Sequence, residues 1–327
     1  RGDGQLLAST IQDAPDGAGT SRLQARAWRP GPAVADHGMA SIRLGQGRSA
    51  EAVAFGDRAI VLNPGHALSR KALARAHINL GEFDQAAQVY RDWLADEPDN
   101  PIARHQLAGC TGVGVPERAA DAYLETTFDA FASSFDARLE QLNYRGPEQV
   151  VEALARSCPA PAGALYVLDA GCGTGLCGAR LAPYARRLVG VDLSGKMLAR
   201  AASRQVYDEL VKAELTDYLG AASAAFDLVV AADTLCYFGA LEAVMRAAHG
   251  ALRTGGLLVF TVEEAGEAAR EGYRIHPHGR YSHAEPYVTG VLAGAGFGGI
   301  VISHVILRSE GGNPVASLVV VARKLDG

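Results

Sequence analysis

Residues 164–182 read ALYVLDAGCGTGLCGARLA, a short apolar run that passes directly into alternating glycines and then into a helix-forming segment. Apolar β-branched and aromatic residues bounded by glycine predict a buried strand, and the glycines permit a tight strand-to-helix turn with close backbone approach to a ligand. A second strand, RLVGVD, ends on Asp192, 21 positions after Gly171. An acidic side chain at that point can accept both hydroxyls of a ribose. Further buried strands alternate with helical stretches: FDLVVAADTLCYF (226–238) and LRTGGLLVFTVEE (252–264). This is the rhythm of a parallel sheet with crossover helices.

The glycine spacing separates two ligand classes. A dinucleotide turn needs G-x-G-x-x-G, because a pyrophosphate must sit on the helix N-terminus. Here the run is Gly171-Cys172-Gly173-Thr174-Gly175, so the third glycine comes one residue early and Leu176 follows. Asp169 stands two residues before the first glycine. It would repel a pyrophosphate but suits a ligand that carries an ammonium group. S-adenosylmethionine has that ammonium, a ribose and no phosphate, and the pattern favours it over a nicotinamide dinucleotide.

With these residues in order, VLDAGCGTGLCGARLA followed by LVGVDLSGKMLARA resembles the class I S-adenosylmethionine-dependent methyltransferases. The whole chain resembles bacterial methyltransferases with N-terminal tetratricopeptide repeats. The resemblance implies a Rossmann-like α/β sheet of parallel strands ending in an antiparallel hairpin, here GIVISHVILR and VASLVVVARK around the turn SEGGNP. It also implies roles: Asp169 on the methionine amino group, Gly171, Cys172, Gly173 and Gly175 beneath the methionine and sugar, Asp192 on the ribose, and Leu193 and Met197 about the adenine. For the acidic-then-apolar pair expected at the adenine amino group, Glu214-Leu215 matches best, with Asp217 second. S-adenosyl-L-homocysteine would be the product.

Ahead of this half the chain repeats itself. Gly47, Ala52, Ala59 and Pro64 align with Gly81, Ala86, Trp93 and Pro98 at a constant offset of 34. Each unit reads as two apolar-periodic helices joined at the glycine and stopped by the proline, which resembles the tetratricopeptide repeat. PIARHQLAGC begins a third. Fewer than about three such units are marginal alone, so the array must lean on a neighbour. The expected division is a flexible leader over 1–32, repeats over 33–112, a helical cap over 113–160 and the cofactor domain over 161–327. In the cap, Phe128, Phe131, Phe135 and Leu139 recur at helical spacing, predicting one apolar face. Tyr123, Phe128, Phe131 and Phe135 are candidate lining residues.

Methyl transfer needs alignment and exclusion of water, and for a hydroxyl or ammonium acceptor also a base. Asp233, Tyr237, Glu263 and His283 are the candidates, Asp233 lying just beyond the fourth strand where it faces the ligand crevice as well. The segment YRIHPHGRYSHAEPYVTGVL (273–292) offers Arg274, Arg280, Tyr281 and His283 as an acceptor pocket, where an arginine would suit a carboxylate or phosphate. Ser282 with Glu285 predicts a capping box for the helix that follows. His276, His278 and His283 lack a carboxylate spaced to complete a metal set, so no metal is expected. AADT after the fourth strand is not Asn-Pro-Pro-Tyr, which argues against planar amide or base nitrogens.

The net charge of −5 provides no electrostatic footprint for nucleic acid. No apolar run reaches the roughly 18 residues needed to span a bilayer. Five cysteines with no Cys-x-x-Cys pair read as reduced thiols and a cytoplasmic setting. Four activities remain open: methylation of a small acceptor bearing a carboxylate or hydroxyl, methylation of a peptide recruited by the repeats, a non-methyl use of the same cofactor such as cyclisation, lyase chemistry or aminocarboxypropyl transfer, and a binding scaffold. The repeat helices could also dock a protein partner or a second copy of the chain as a homodimer.

Overall fold

The computed structural model describes residues 31–158, 160–266 and 272–325. The expected leader therefore falls outside the described residues, except for Gly31 and Pro32. Pro32 starts α1 (Pro32–Gly45), which is followed by α2 (Ser49–Leu62), α3 (Ala67–Leu80), α4 (Phe83–Asp96) and α5 (Pro101–Thr111). The helix ends follow the punctuation of the sequence. Gly81 closes α3 in the left-handed region at φ 77°, and Asn100 caps α5 by accepting the amides of Ile102 and Ala103 at 3.1 and 3.0 Å. The interior of this array is mostly alanine, with Tyr90 and Trp93 as its large members. Small residues let helices approach closely: a Cβ on Gly56 of α2 would sit 3.1 Å from that of Leu73 on α3.

The cap is three helices rather than one apolar-faced helix: α6 (Asp121–Phe131), α7 (Phe135–Gln141) and α8 (Gly146–Ser157). The break between Phe131 and Phe135 sends the stripe in two directions. Phe128 and Phe135 stay on the inner side with ring centroids 6.1 Å apart, while Phe131 is 45% exposed beneath the Lys71 ammonium. Phe131 thus does not line the crevice. α6 lies against the repeats: His105 of α5 stacks on Tyr123 at 4.0 Å, and Gln106 donates to the Tyr123 hydroxyl at 3.0 Å.

The sheet is built from β1 (Leu165–Ala170), β2 (Ala185–Asp192), β3 (Glu209–Lys212), β4 (Phe226–Ala231), β5 (Leu252–Glu264), β6 (Tyr273–Ile275), β7 (Tyr281–His283), β8 (Phe297–Glu310) and β9 (Asn313–Lys324). The order β3-β2-β1-β4-β5 is parallel throughout. β9 then runs antiparallel to β5 and β8 antiparallel to β9, the terminal hairpin the sequence predicts. The helices α9 (Gly178–Leu181), α10 (Gly195–Ser203), α11 (Leu215–Ala221), α12 (Glu242–Ala251) and α13 (Glu285–Gly294) complete the fold. Two-residue alternation sorts the strands onto two cores. Leu168, Val189, Val229, Phe260 and Val320 meet α11, α12 and α13, while Val167, Leu188, Leu228, Val259 and Val319 meet Val150 and Leu154 of α8.

The segment after β5 is a short hairpin, β6–β7, and β7 pairs with β5 at Glu263 and Glu264, beyond the end of β4. The capping box expected there does not form. Ala284 is the N-cap of α13 with no side-chain bond, because the Ser282 hydroxyl is engaged by His276 Nε2 at 2.7 Å. Among the described residues no helix is long and apolar enough to cross a membrane, no group of side chains is set to hold a metal, and the cysteines are unpaired.

Candidate active site

The turn after β1 is pinned from both sides. The amides of Gly171 and Cys172 donate to Val191 O at 2.8 and 2.9 Å, and the Thr234 hydroxyl donates to Ala170 O at 3.1 Å. Thr234 fills the space a side chain at Gly171 would need: a Cβ there would lie 2.3 Å from it, with the backbone already at φ 73°. Gly173, at φ 54°, instead has nothing within 4 Å of the Cβ position, so the turn presents bare backbone to an open cradle. Asp192 braces it from β2, accepting the amides of Gly173 at 2.9 Å and Ser194 at 2.8 Å.

Asp169 is 1% exposed at the end of β1. Burial lifts its pKa to about 7; the Tyr207 hydroxyl, donated at 2.6 Å, opposes that shift, and the Asp192 carboxylate adds to it. Asp192 is itself raised by burial, against the amides that bond it, and Asp129 raises it further. With Asp192 raising Asp169 and Asp129 raising Asp192, the carboxylates make a site that a cationic ligand relieves and a pyrophosphate would aggravate. Sequence reading missed Tyr207. Its ring wedges beneath the turn, within 3.0 Å of would-be Cβ atoms on Gly175 and Gly190 and 2.7 Å of one on Gly178.

The cap is tied down over this turn. Asp129 of α6 accepts from the Ser194 hydroxyl at 2.5 Å, and Asp136 of α7 accepts from Thr174 at 2.5 Å and Arg204 at 2.6 Å. Leu193 packs under Tyr123 and Leu124, and Met197 is buried. The pair proposed for the adenine amino group stands at the start of α11. Glu214 is the N-cap of α11 and accepts the Asp217 amide at 2.8 Å, Leu215 is in the core, and Asp217 is exposed.

On the acceptor side, Asp233 follows β4 in the left-handed region at φ 55°, held by donation of its amide to Thr261 Oγ1 at 2.7 Å. Both its oxygens face Arg308 Nη1, at 2.9 and 3.0 Å. Arg308 projects from β8, is 2% exposed, and also bonds Glu263 and, at 2.6 Å, Glu310. Arg280 joins the network through Glu263 at 2.5 Å and Glu310. Burial pulls both guanidiniums down, but Asp233 and Glu263 beside Arg308, and Glu263 beside Arg280, outweigh it and hold them above the ordinary arginine value. Burial works against Glu310 in the same way, yet Arg280 and Arg308 bring it down to about 2. Burial pushes His278 down to about 2, so it stands neutral beside Glu263 at 3.7 Å.

Tyr237, at the end of the turn carrying Asp233, meets Phe128 of the cap edge to face at 5.3 Å. Burial raises its phenol well above the usual value. The remaining loop candidates lie elsewhere. His283 is wholly buried, donates Nε2–H to Gly239 O at 3.0 Å, and is pushed down to about 4 by burial. Tyr281 is equally enclosed and donates to Pro116 O at 2.9 Å, and Arg274 is exposed on β6. Of that loop, only Arg280 reaches the network. Arg308 carried a faint sequence signal, as the single charge at the end of the apolar run GIVISHVILR.

Comparison with known proteins agrees with this architecture. Residues 168–260 match the methyltransferase domain family, and residues 43–109 match a tetratricopeptide repeat family. Human methyltransferase-like protein 27 is 36% identical over 98 residues, covering 30% of this chain and 39% of that protein. Malonyl-[acyl-carrier protein] O-methyltransferase of Enterobacter lignolyticus is 36% identical over 95 residues, covering 29% and 38%. The chain thus spans about two fifths of the length of these curated relatives. Among solved structures, 1,6-didemethyltoxoflavin-N1-methyltransferase of Burkholderia thailandensis superposes with a TM-score of 0.50 at 24% identity, over 65% of this chain and 94% of that one, a likeness of fold. The chain carries a methyltransferase domain of Rossmann-like fold behind a set of tetratricopeptide repeats.

Proposed function

We propose that this chain is an S-adenosylmethionine-dependent methyltransferase that acts on a small-molecule nucleophile. One observation carries the reading: a bare glycine cradle flanked by two neighbouring carboxylates, the buried Asp169 and the partly exposed Asp192, at the carboxyl ends of adjacent parallel strands. Asp169 would hold the methionine ammonium, the turn 171–175 would lie under the methionine and sugar, and Asp192 would take the ribose. Leu193 and Met197 flank the adenine side. The bound cofactor supplies a sulfonium methyl for in-line displacement. The protein aligns the acceptor against it, and the cap helices keep water out.

A small acceptor is favoured over a peptide recruited by the repeats, because α3 and α5 already hold α6 through Lys71, His105 and Gln106. Calorimetry with S-adenosylmethionine and with a nicotinamide dinucleotide tests the cofactor. Tight binding of the dinucleotide alone would overturn the reading. Mass spectrometry of the spent cofactor tests the chemistry: S-adenosylhomocysteine is expected, whereas methylthioadenosine would indicate cyclisation or aminocarboxypropyl transfer.

A further inference from the structure

The charges at the acceptor side do not cancel. Two guanidiniums, Arg280 and Arg308, face three carboxylates, Asp233, Glu263 and Glu310, and the neighbouring histidines add nothing. His276 is lowered by burial in the same sense as His278, so both stand neutral. Arg308 spends Nε, Nη1 and Nη2 on its three partners, and Arg280 spends Nε and Nη2. A substrate carboxylate or phosphate would have to break one of these bonds and enter a region that already holds surplus negative charge. The arginines are therefore the frame of the site rather than its grip.

The walls point the same way. Asp233, with 20% of its side chain exposed, sits one residue from Thr234, which touches the glycine turn. Tyr237 closes the same turn, with Phe128 against it and Phe135 beyond. The Tyr144 phenol lies close enough to Asp233 and Arg308 to feel both charges. Aromatic faces beside an incompletely neutralised carboxylate attract cations through the ring quadrupole as well as through Coulomb attraction. Resting on the methyltransferase reading above, we propose that the acceptor crevice takes an amine, bound in its ammonium form by Asp233 with Tyr237 and Phe128 alongside. The ammonium passes one proton to Asp233 before its freed lone pair attacks the methyl carbon and the thioether leaves.

Binding by the intact protein saturated with S-adenosylhomocysteine tests this. The probes are two matched series, phenethylamine, 2-phenylethanol and 3-phenylpropanoate, and butylamine, butanol and pentanoate, with a lysine-bearing tripeptide to separate free amines from peptide ones. Amines should bind at least tenfold more tightly than their alcohol and carboxylate partners, and D233N should erase that preference. Should D233N fail to fold, F128L keeps the ion network intact and should still weaken amines more than alcohols. An alcohol or carboxylate binding as tightly as its amine would overturn the proposal, and so would a protein that binds S-adenosylhomocysteine but no amine. Failure to bind S-adenosylhomocysteine at all would strike the broader reading instead.

Discussion

Tyr207 donates its hydroxyl to Asp169 across 2.6 Å, from a loop that also props the glycine turn from below. The bond opposes burial, which lifts Asp169 to about 7. Only the ionised carboxylate pairs with an ammonium, so affinity for S-adenosylmethionine should climb as pH rises through about 7. Y207F removes the opposing bond and should move that climb to higher pH. Calorimetric titrations between pH 6 and 8.5 read it out, and a flat profile in the parent protein would refute the assignment. The linkage has a stability side. A carboxyl raised above its unfolded value of 3.8 favours the folded state fully below about pH 4, and that contribution fades as pH rises through about 7. D169N should lack this part of the pH dependence in urea melts.

Asp192 has two structural amides as well as its expected ribose role. D192A should weaken cofactor binding and, by orphaning Gly173 N–H and Ser194 N–H, cost about 1–3 kcal/mol of stability. Unchanged affinity by calorimetry would remove the ribose role and leave Asp192 a turn brace only.

Arg308 is the keystone of the buried charges. R308M should destabilise the protein by about 3–5 kcal/mol, because it leaves Asp233 without its cation beside Glu263, which keeps only Arg280. Chemical denaturation checks this, and a loss below about 1 kcal/mol would mean that water or a rearranged Arg280 neutralises the site.

The glycine turn and the strand order were legible because local spacing dictates them: Gly171, Gly173 and Gly175 after an apolar run, and Asp192 at the end of the next strand. The repeats declared themselves by a fixed period. The acceptor side was not legible, since its parts meet only through the fold. Arg308 and Asp233 are 75 positions apart and meet because β9 pairs β5 on one side and β8 on the other. Periodicity also misled at Phe131, where a helix break between α6 and α7 turned one ring outward. At Ser282 the expected capping hydroxyl was bound to a neighbour the sequence does not reveal, His276.

Asp136 joins the cap to the glycine turn through Arg204, both partly exposed, and through the buried Thr174 hydroxyl. D136A should cost about 1–3 kcal/mol in melting, chiefly by leaving the buried Thr174 hydroxyl without its acceptor, since the half-exposed Arg204 pair adds little. It should speed S-adenosylhomocysteine release several-fold in stopped-flow displacement, because the cap then swings free of the turn. An unaltered release rate would show that the cofactor does not wait on α7.

Gly109 of α5 packs on the turn between β6 and β7: a Cβ there would lie 2.7 Å from His276 O, a backbone atom that cannot rotate away. On the facing side Gly279, at φ 87°, would place a Cβ 2.6 Å from Gln106 Nε2 and the Tyr123 hydroxyl. G109A and G279A should each cost about 1–3 kcal/mol in thermal or urea unfolding. Neutral behaviour of both would mean that the two halves are not in register there.

The meeting of Gly109 with His276 also decides how this protein can be cut. Composition draws a seam near residue 112, and a truncation that began there would strip away the helix on which the β6–β7 turn rests. The His105 bond to Gly279 O, 2.8 Å long, would go with it. A piece that keeps both contacts must begin no later than Asn100, which caps α5, and so borrows at least one helix from the repeats. For chimaeras that swap repeat arrays, a crossover between α4 and α5 would keep those contacts but split the core in which Tyr90 and Trp93 of α4 pack on Ala103 of α5.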